Sequence, residues 1–122
     1  MVQSALLCLA LNIYHEARGE PTKGQIAVAM VTMNRAEWKA RNVCEVVYEP
    51  NQFSWTRKRD HTPQEQEAWA KARRIARNVV EREHKDETRG ATFFHTTSVK
   101  PRWRHAFKRT AKIGNHLFYA TR

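Results

Sequence analysis

Apolar positions crowd the first twenty residues of the chain. In the run ALLCLALNIYHEA, Leu6, Leu7, Leu9, Ala10, Ile13 and Tyr14 leave almost no polar face. That pattern predicts a helix capped by Ser4, ending near Gly19 and lying at the centre of the domain. Glu20-Pro21 breaks it, and Thr22 is expected to cap a second helix, GQIAVAMVTMNRAEW. There Ile26, Ala29, Met30, Met33 and Ala36 recur at helical spacing. Residues 39–61 read as a long irregular segment holding a short apolar run at 43–48 and a turn at Pro50-Asn51. Thr62-Pro63-Gln64-Glu65 carries an N-terminal helix signature: a capping threonine, then proline, then glutamate at the third helical position. The helix it opens places Ala68, Trp69, Ala72, Ile75, Ala76, Val79 and Val80 on one face and ends before Gly90. Two β-type runs close the chain, ATFFHT and HLFYA, separated by a basic loop. The expected class is α+β, mostly α, with a small β element near the C-terminus.

Length and composition narrow this picture. At 122 residues, 41% hydrophobic and 28% charged, the chain suits one globular domain over residues 1–122. The net charge is +10 and unevenly spread. Residues 1–61 carry eight bases and six acids, and residues 62–87 carry six of each. From Thr88 onward there are eight bases and no acid. Aromatics interleave that basic stretch (Phe93, Phe94, Trp103, Phe107, Phe118, Tyr119), so it reads as folded and as facing an anionic partner. Cys8 and Cys44 each lie in an apolar run and read as buried thiols, with a disulfide left open. The N-terminus lacks the basic region and cleavage site of a secretion signal, and the bulky Leu7 argues against lipidation at Cys8. No apolar run reaches the length of a membrane span. The expectation is a soluble chain without its own secretion signal.

Chemistry is best sought in Tyr14-His15-Glu16-Ala17-Arg18-Gly19-Glu20. Glu16 falls at the end of an apolar helix, where desolvation would raise its pKa and keep it protonated, as a general acid requires. The competing reading is a plain ion pair with Arg18 or Arg35. A zinc site of the His-Glu-x-x-His type fails, because position 19 is Gly19. The six histidines show no ligand spacing, so neither metal nor cofactor is expected.

The run NIYHEARGEPTKGQIAVAMVTMNR resembles the signature of the SleB/CwlJ cell-wall hydrolases, the spore-cortex-lytic enzymes and their relatives. The resemblance continues through Val43-Cys44-Glu45-Val46-Val47-Tyr48 and Gln52-Phe53-Ser54. It resumes in Gly90-Ala91-Thr92-Phe93-Phe94-His95, at Pro101 and Trp103, and in Ile113-Gly114-Asn115-His116-Leu117-Phe118-Tyr119. EARGE alone would be weak; the ordered set spans nearly the whole chain. The departure is the Arg- and Trp-rich helix and tail.

This resemblance implies a lysozyme-like, lytic-transglycosylase-like domain that cleaves peptidoglycan between N-acetylmuramic acid and N-acetylglucosamine. The family's catalytic acid maps onto Glu16. A two-carboxylate hydrolase would need a partner acid, for which Glu49 and Asp60 are candidates. A single-acid mechanism, giving a 1,6-anhydro product, is preferred. Gln52, Phe53 and Ser54 are expected to line the glycan groove, although Phe53 serves equally well as a loop anchor. Trp55 and Trp103 could stack on sugars or fill the core, and Trp69 is expected in the core. His95 and Tyr119 could hydrogen-bond substrate. Arg18, Glu20, Asn34, Arg35 and His116 are expected in support: Glu20 to cap or orient the loop, Asn34 and Arg35 to orient Glu16 or the loop, His116 as a structural histidine.

The expected partners are peptidoglycan strands and, through the basic segment, anionic wall or outer-membrane polymers. The chain is expected to act as a monomer without a stable protein partner. The implied setting is a phage or prophage endolysin, held in the host cytoplasm until release to the wall, or a trimmed domain of an exported enzyme. Two other readings remain: a peptidoglycan amidase, whose zinc spacing is missing, and a basic nucleic-acid-binding module, which lacks any recognised signature.

Overall fold

The apolar N-terminal run forms α1, Gln3–Ala17, in a computed structural model that describes residues 3–122. Ser4 lies within this helix and not at its cap. Ala5, Leu9, Ala10, Ile13 and Ala17 are buried, because α1 packs against all three of the other helices. The expected central position is therefore met. Asn12, also buried, turns its polarity inward: its amide donates to Thr32 Oγ1 at 3.1 Å, and its carbonyl accepts the Trp55 indole N–H at 2.9 Å. These bonds offset the cost of placing an amide in the core.

The α2 helix, Thr22–Arg35, starts where Pro21 supplies a φ of −57° and lacks an N–H to satisfy. Thr22 is thus the first helical residue and not the cap. Residues 27–33 are all buried, so α2 is a second interior helix.

The segment read as irregular contains two helical pieces, α3 at Ala40–Val47 and a 3-10 turn at Ser54–Arg57. Val43 and Val47, one turn apart, face the core, a pattern too short to distinguish from a strand in sequence. The expectation of buried free thiols is also corrected. Cys8 of α1 and Cys44 of α3 form a disulfide with Cα atoms 5.4 Å apart, and no free cysteine remains among the described residues.

The α4 helix, Gln66–Val80, begins later than the Thr62 signature implies. No side chain caps its first turn; Tyr14 of α1 instead holds the two residues that lead into it. The Tyr14 hydroxyl accepts the backbone N–H groups of Gln64 and Glu65 at 3.1 and 3.0 Å. Ala72, Ile75, Ala76 and Val79 pack inward as expected.

The C-terminal third forms a three-stranded antiparallel sheet in the order β1-β3-β2, with β1 at Phe93–Thr96, β2 at Lys108–Ile113 and β3 at His116–Ala120. β1 and β3 are the two expected runs. β2 lies in what reads as a basic loop, and a register shift between Arg109 and Ala111 breaks its alternation. Phe118 of β3 packs on Ala27 and Val31, joining the sheet to α2. The architecture is mostly α with a small sheet, as the sequence predicts.

Candidate active site

Glu16 sits one residue before the end of α1, where the helix leaves the core. Three cavities converge on its side chain. The first, about 570 Å³, is aromatic and apolar, walled by Phe53, Phe93, Phe94, Trp103 and Phe107. The second, about 410 Å³, is lined by the hydroxyls of Thr96, Thr97 and Ser98 and by Asn115. The third, about 400 Å³, lies between α1 and the 54–65 loop.

The ion-pair reading of Glu16 does not hold. Arg18 pairs with Glu65 at 2.5 Å, and Arg35 pairs with Glu49 at 2.5 Å. Among the described residues no cation lies within 4 Å of the Glu16 carboxylate. Burial alone acts on it and raises its pKa to about 7. A carboxyl in this state holds its proton near neutrality and can return to the carboxylate form afterwards.

The residues around it are tied to one another. His15 stacks on Trp55, with ring centroids 4.4 Å apart, and donates from Nε2 to the His61 carbonyl at 3.0 Å. Burial pulls the His15 pKa down, as it does for His116. Glu20 works as a strut. Its Oε1 accepts the Asn115 backbone N–H at 3.0 Å and its Oε2 the Asn115 amide at 3.2 Å. Gly114 has φ +57°, and a Cβ there would stand 2.9 Å from Glu20 Oε1. The α1–α2 corner is thereby tied to the β2–β3 turn, with His116 Nδ1 3.3 Å from Glu20 Oε1.

A family profile described as Cell Wall Hydrolase matches residues 19–119. The chain belongs to this family. It is 33% identical over 115 residues to the spore cortex-lytic enzyme of Halalkalibacterium halodurans, over 90% of this chain and 33% of the relative. It thus spans about a third of the length of that curated relative. Its fold is similar to the catalytic domain of the germination-specific lytic transglycosylase SleB from Bacillus anthracis. The TM-score is 0.75 and the identity 27%, over 98% of this chain and 97% of that one. The profile match begins at Gly19, beyond Glu16, so the role of Glu16 is argued from its surroundings.

Within this cell wall hydrolase fold the expected site residues divide into groups. Gln52, Phe53, Arg35, His95 and Trp103 line the aromatic cavity together with Glu16. Ser54, Trp55 and Arg18 line the third cavity, and Glu20 and His116 line the second. Asn34 lines none of them. It ties α2 to the 86–91 loop, donating to Asp86 Oδ2 and the Ala91 carbonyl at 3.0 Å each. Arg35 lies over the Phe93 ring, 4.8 Å from its centroid, and donates to the Thr92 carbonyl.

Three expected substrate contacts are not open in the structure, at Trp55, Tyr119 and His95. Trp55 is 5% exposed, its ring stacked on His15 and its N–H held by Asn12, so it supports the cavity and offers no open stacking face. Tyr119 is buried behind His95 and donates its hydroxyl proton to His95 Nε2 at 2.9 Å. His95 Nδ1 donates to the Thr96 carbonyl at 2.7 Å, so neither ring nitrogen is free for substrate. Trp103, half-buried, keeps its place in the wall of the groove.

Several residues escaped the sequence reading. Phe107 and Val99 join the aromatic cavity, and Thr96, Thr97 and Ser98 supply its hydroxyl-lined neighbour. Asn12 had one visible signal, a lone amide inside an apolar helix. Among the described residues no three His, Cys, Asp or Glu side chains gather in metal-binding geometry, and no helix is long and apolar enough to cross a membrane.

Proposed function

We propose that residues 1–122 are the catalytic unit of a peptidoglycan-cleaving glycosidase that works as a lytic transglycosylase, with Glu16 as general acid and then base. The observation that carries this reading is a lone desolvated carboxyl, pKa about 7, where three cavities meet. Family membership and the likeness to the SleB catalytic domain support it.

The chemistry needs one proton moved twice. Glu16 gives its proton to the glycosidic oxygen as the bond from muramic acid C1 to that oxygen breaks, releasing the N-acetylglucosamine hydroxyl. Positive charge develops at C1 and the ring oxygen. The muramic acid 6-hydroxyl then attacks C1, and its proton returns to Glu16. The product is a 1,6-anhydro ring, and the enzyme is restored. The aromatic wall, with Trp103 and Phe107, suits the apolar face of a pyranose. The hydroxyl-lined cavity suits sugar hydroxyl and acetamido groups.

Hydrolysis is a second reading with one observation in its favour. Asp60 lines the same cavity as Glu16, and a hydrogen bond to Thr62 holds its pKa below the usual range. Two carboxylates with pKa values pushed apart are what a muramidase uses. Glu49 is unsuited, because Arg35 holds it.

The proposal extends to the setting. The chain is read as an endolysin acting at the wall of its host, where the Cys8–Cys44 disulfide suits an oxidising compartment. The exposed bases of β2 (Lys108, Arg109 and Lys112) would draw it to anionic polymers. Glu16→Gln should abolish clearing of purified sacculi while the protein stays folded. Full clearing by that variant would remove Glu16 from the mechanism.

A further inference from the structure

A linear glycan crossing Glu16 requires at least one subsite on each side of the scissile bond, and three cavities open onto this carboxyl. The third differs from the others in its charge. The aromatic cavity contains one cation, Arg35, already neutralised by Glu49. The hydroxyl-lined cavity contains Glu20 and no cation. The third cavity is lined by Lys58 and Asp60, both exposed, beside the closed pair Arg18–Glu65. Among the described residues Lys58 has no acidic side chain within 4 Å. It is the middle residue of the exposed run Arg57-Lys58-Arg59. The Asp60 carboxylate is held ionised by Thr62. The walls are rigid, since Trp55 is stacked on His15 and tied to Asn12.

We propose that this third cavity is a subsite for the peptide carried on the lactyl group of muramic acid, with Lys58 pairing to a peptide carboxylate and Asp60 to a peptide amine. A cavity bearing one unpaired charge of each sign fits a short substituent that carries both carboxylates and an amine. An uncharged sugar can hydrogen-bond these groups but gains no charge pairing from them. The inference rests on the peptidoglycan reading above and adds a determinant of substrate choice. Lys58 and Asp60 are positioned to hold the strand in register, while proton transfer remains with Glu16.

The test compares kcat/KM on glycan strands that carry their peptides with strands stripped of them and capped at the exposed lactyl carboxylate as a neutral amide. The wild type should prefer the peptide-bearing strands, and Lys58→Glu should lower that preference about threefold to tenfold, the range for one exposed charge contact reversed in sign. Lys23→Glu, an exposed reversal on α2, controls for net charge and should keep the wild-type ratio. In parallel, NMR titration with a soluble peptide-bearing disaccharide should shift the Lys58 amide and the Trp55 indole N–H, while the peptide-free disaccharide, its lactyl carboxylate capped as a neutral amide, leaves both in place. Equal rates on the two strands, a ratio insensitive to Lys58→Glu, or identical shifts from the two disaccharides would overturn the subsite. Cleavage of neither strand would instead overturn the peptidoglycan reading, and the titration still decides the subsite.

Discussion

Glu16 has a pKa raised to about 7 from an ordinary 4.5, so the folded state holds this proton more tightly than the unfolded chain does. Its stabilising effect is full below about pH 4.5 and is lost as pH rises through 7. The shift corresponds to about 3 kcal/mol once the group is ionised. Glu16→Gln should therefore be more stable than the wild type at pH 8, by up to about that amount, and equal to it at pH 4. Denaturant melts at the two pH values check this; a variant less stable at pH 8 would mean that the carboxylate has a partner. Activity should fall with rising pH along the same titration, because only the protonated form can act as acid. Glu16 was legible in sequence because a carboxylate closing an apolar helix has few ways to be solvated. Tyr119 and Trp55 were not decidable in sequence for the opposite reason. An aromatic with a polar tip suits a sugar or a buried hydrogen bond equally well, and only the positions of Asn12 and His95 decide.

Helices with long apolar periodicity, α1, α2 and α4, were legible as elements. α3 and β2 were not: α3 shows only one turn of pattern, and β2 has its alternation broken by a bulge and its outward face filled with bases. The start of α4 was also displaced. Thr62 offers the local signature, but the Tyr14 hydroxyl occupies the donors of Gln64 and Glu65 from another helix. The disulfide escaped because cysteine spacing says nothing of which helices will meet. It joins α1 to α3 across 36 residues of chain, and closing a loop of that size stabilises by about 4 kcal/mol on the chain-entropy account. The Cys8→Ser, Cys44→Ser double variant should lose a large part of that in equilibrium unfolding. Unchanged stability would mean that the cross-link contributes nothing beyond the packing of α1 on α3.

Across the whole molecule the charge separates from the chemistry. The acid-free segment from Thr88 carries eight bases and also walls two of the cavities at Glu16, yet none of those bases lines a cavity; the walls it supplies are aromatic or hydroxyl-lined. Some of the bases lie on β2, an edge strand whose bases face solvent. Binding of the Glu16→Gln variant to sacculi should therefore weaken steeply between low salt and about 0.5 M, where exposed charges are screened beyond a few ångströms. Binding indifferent to salt would assign retention to the groove alone. The central claim, one carboxyl moving one proton twice, is tested most directly by mass spectrometry of the sugar ends that the wild-type chain releases from purified peptidoglycan. The account predicts 1,6-anhydro-muramic acid termini. Reducing termini would contradict it and turn attention to Asp60 as the second carboxylate.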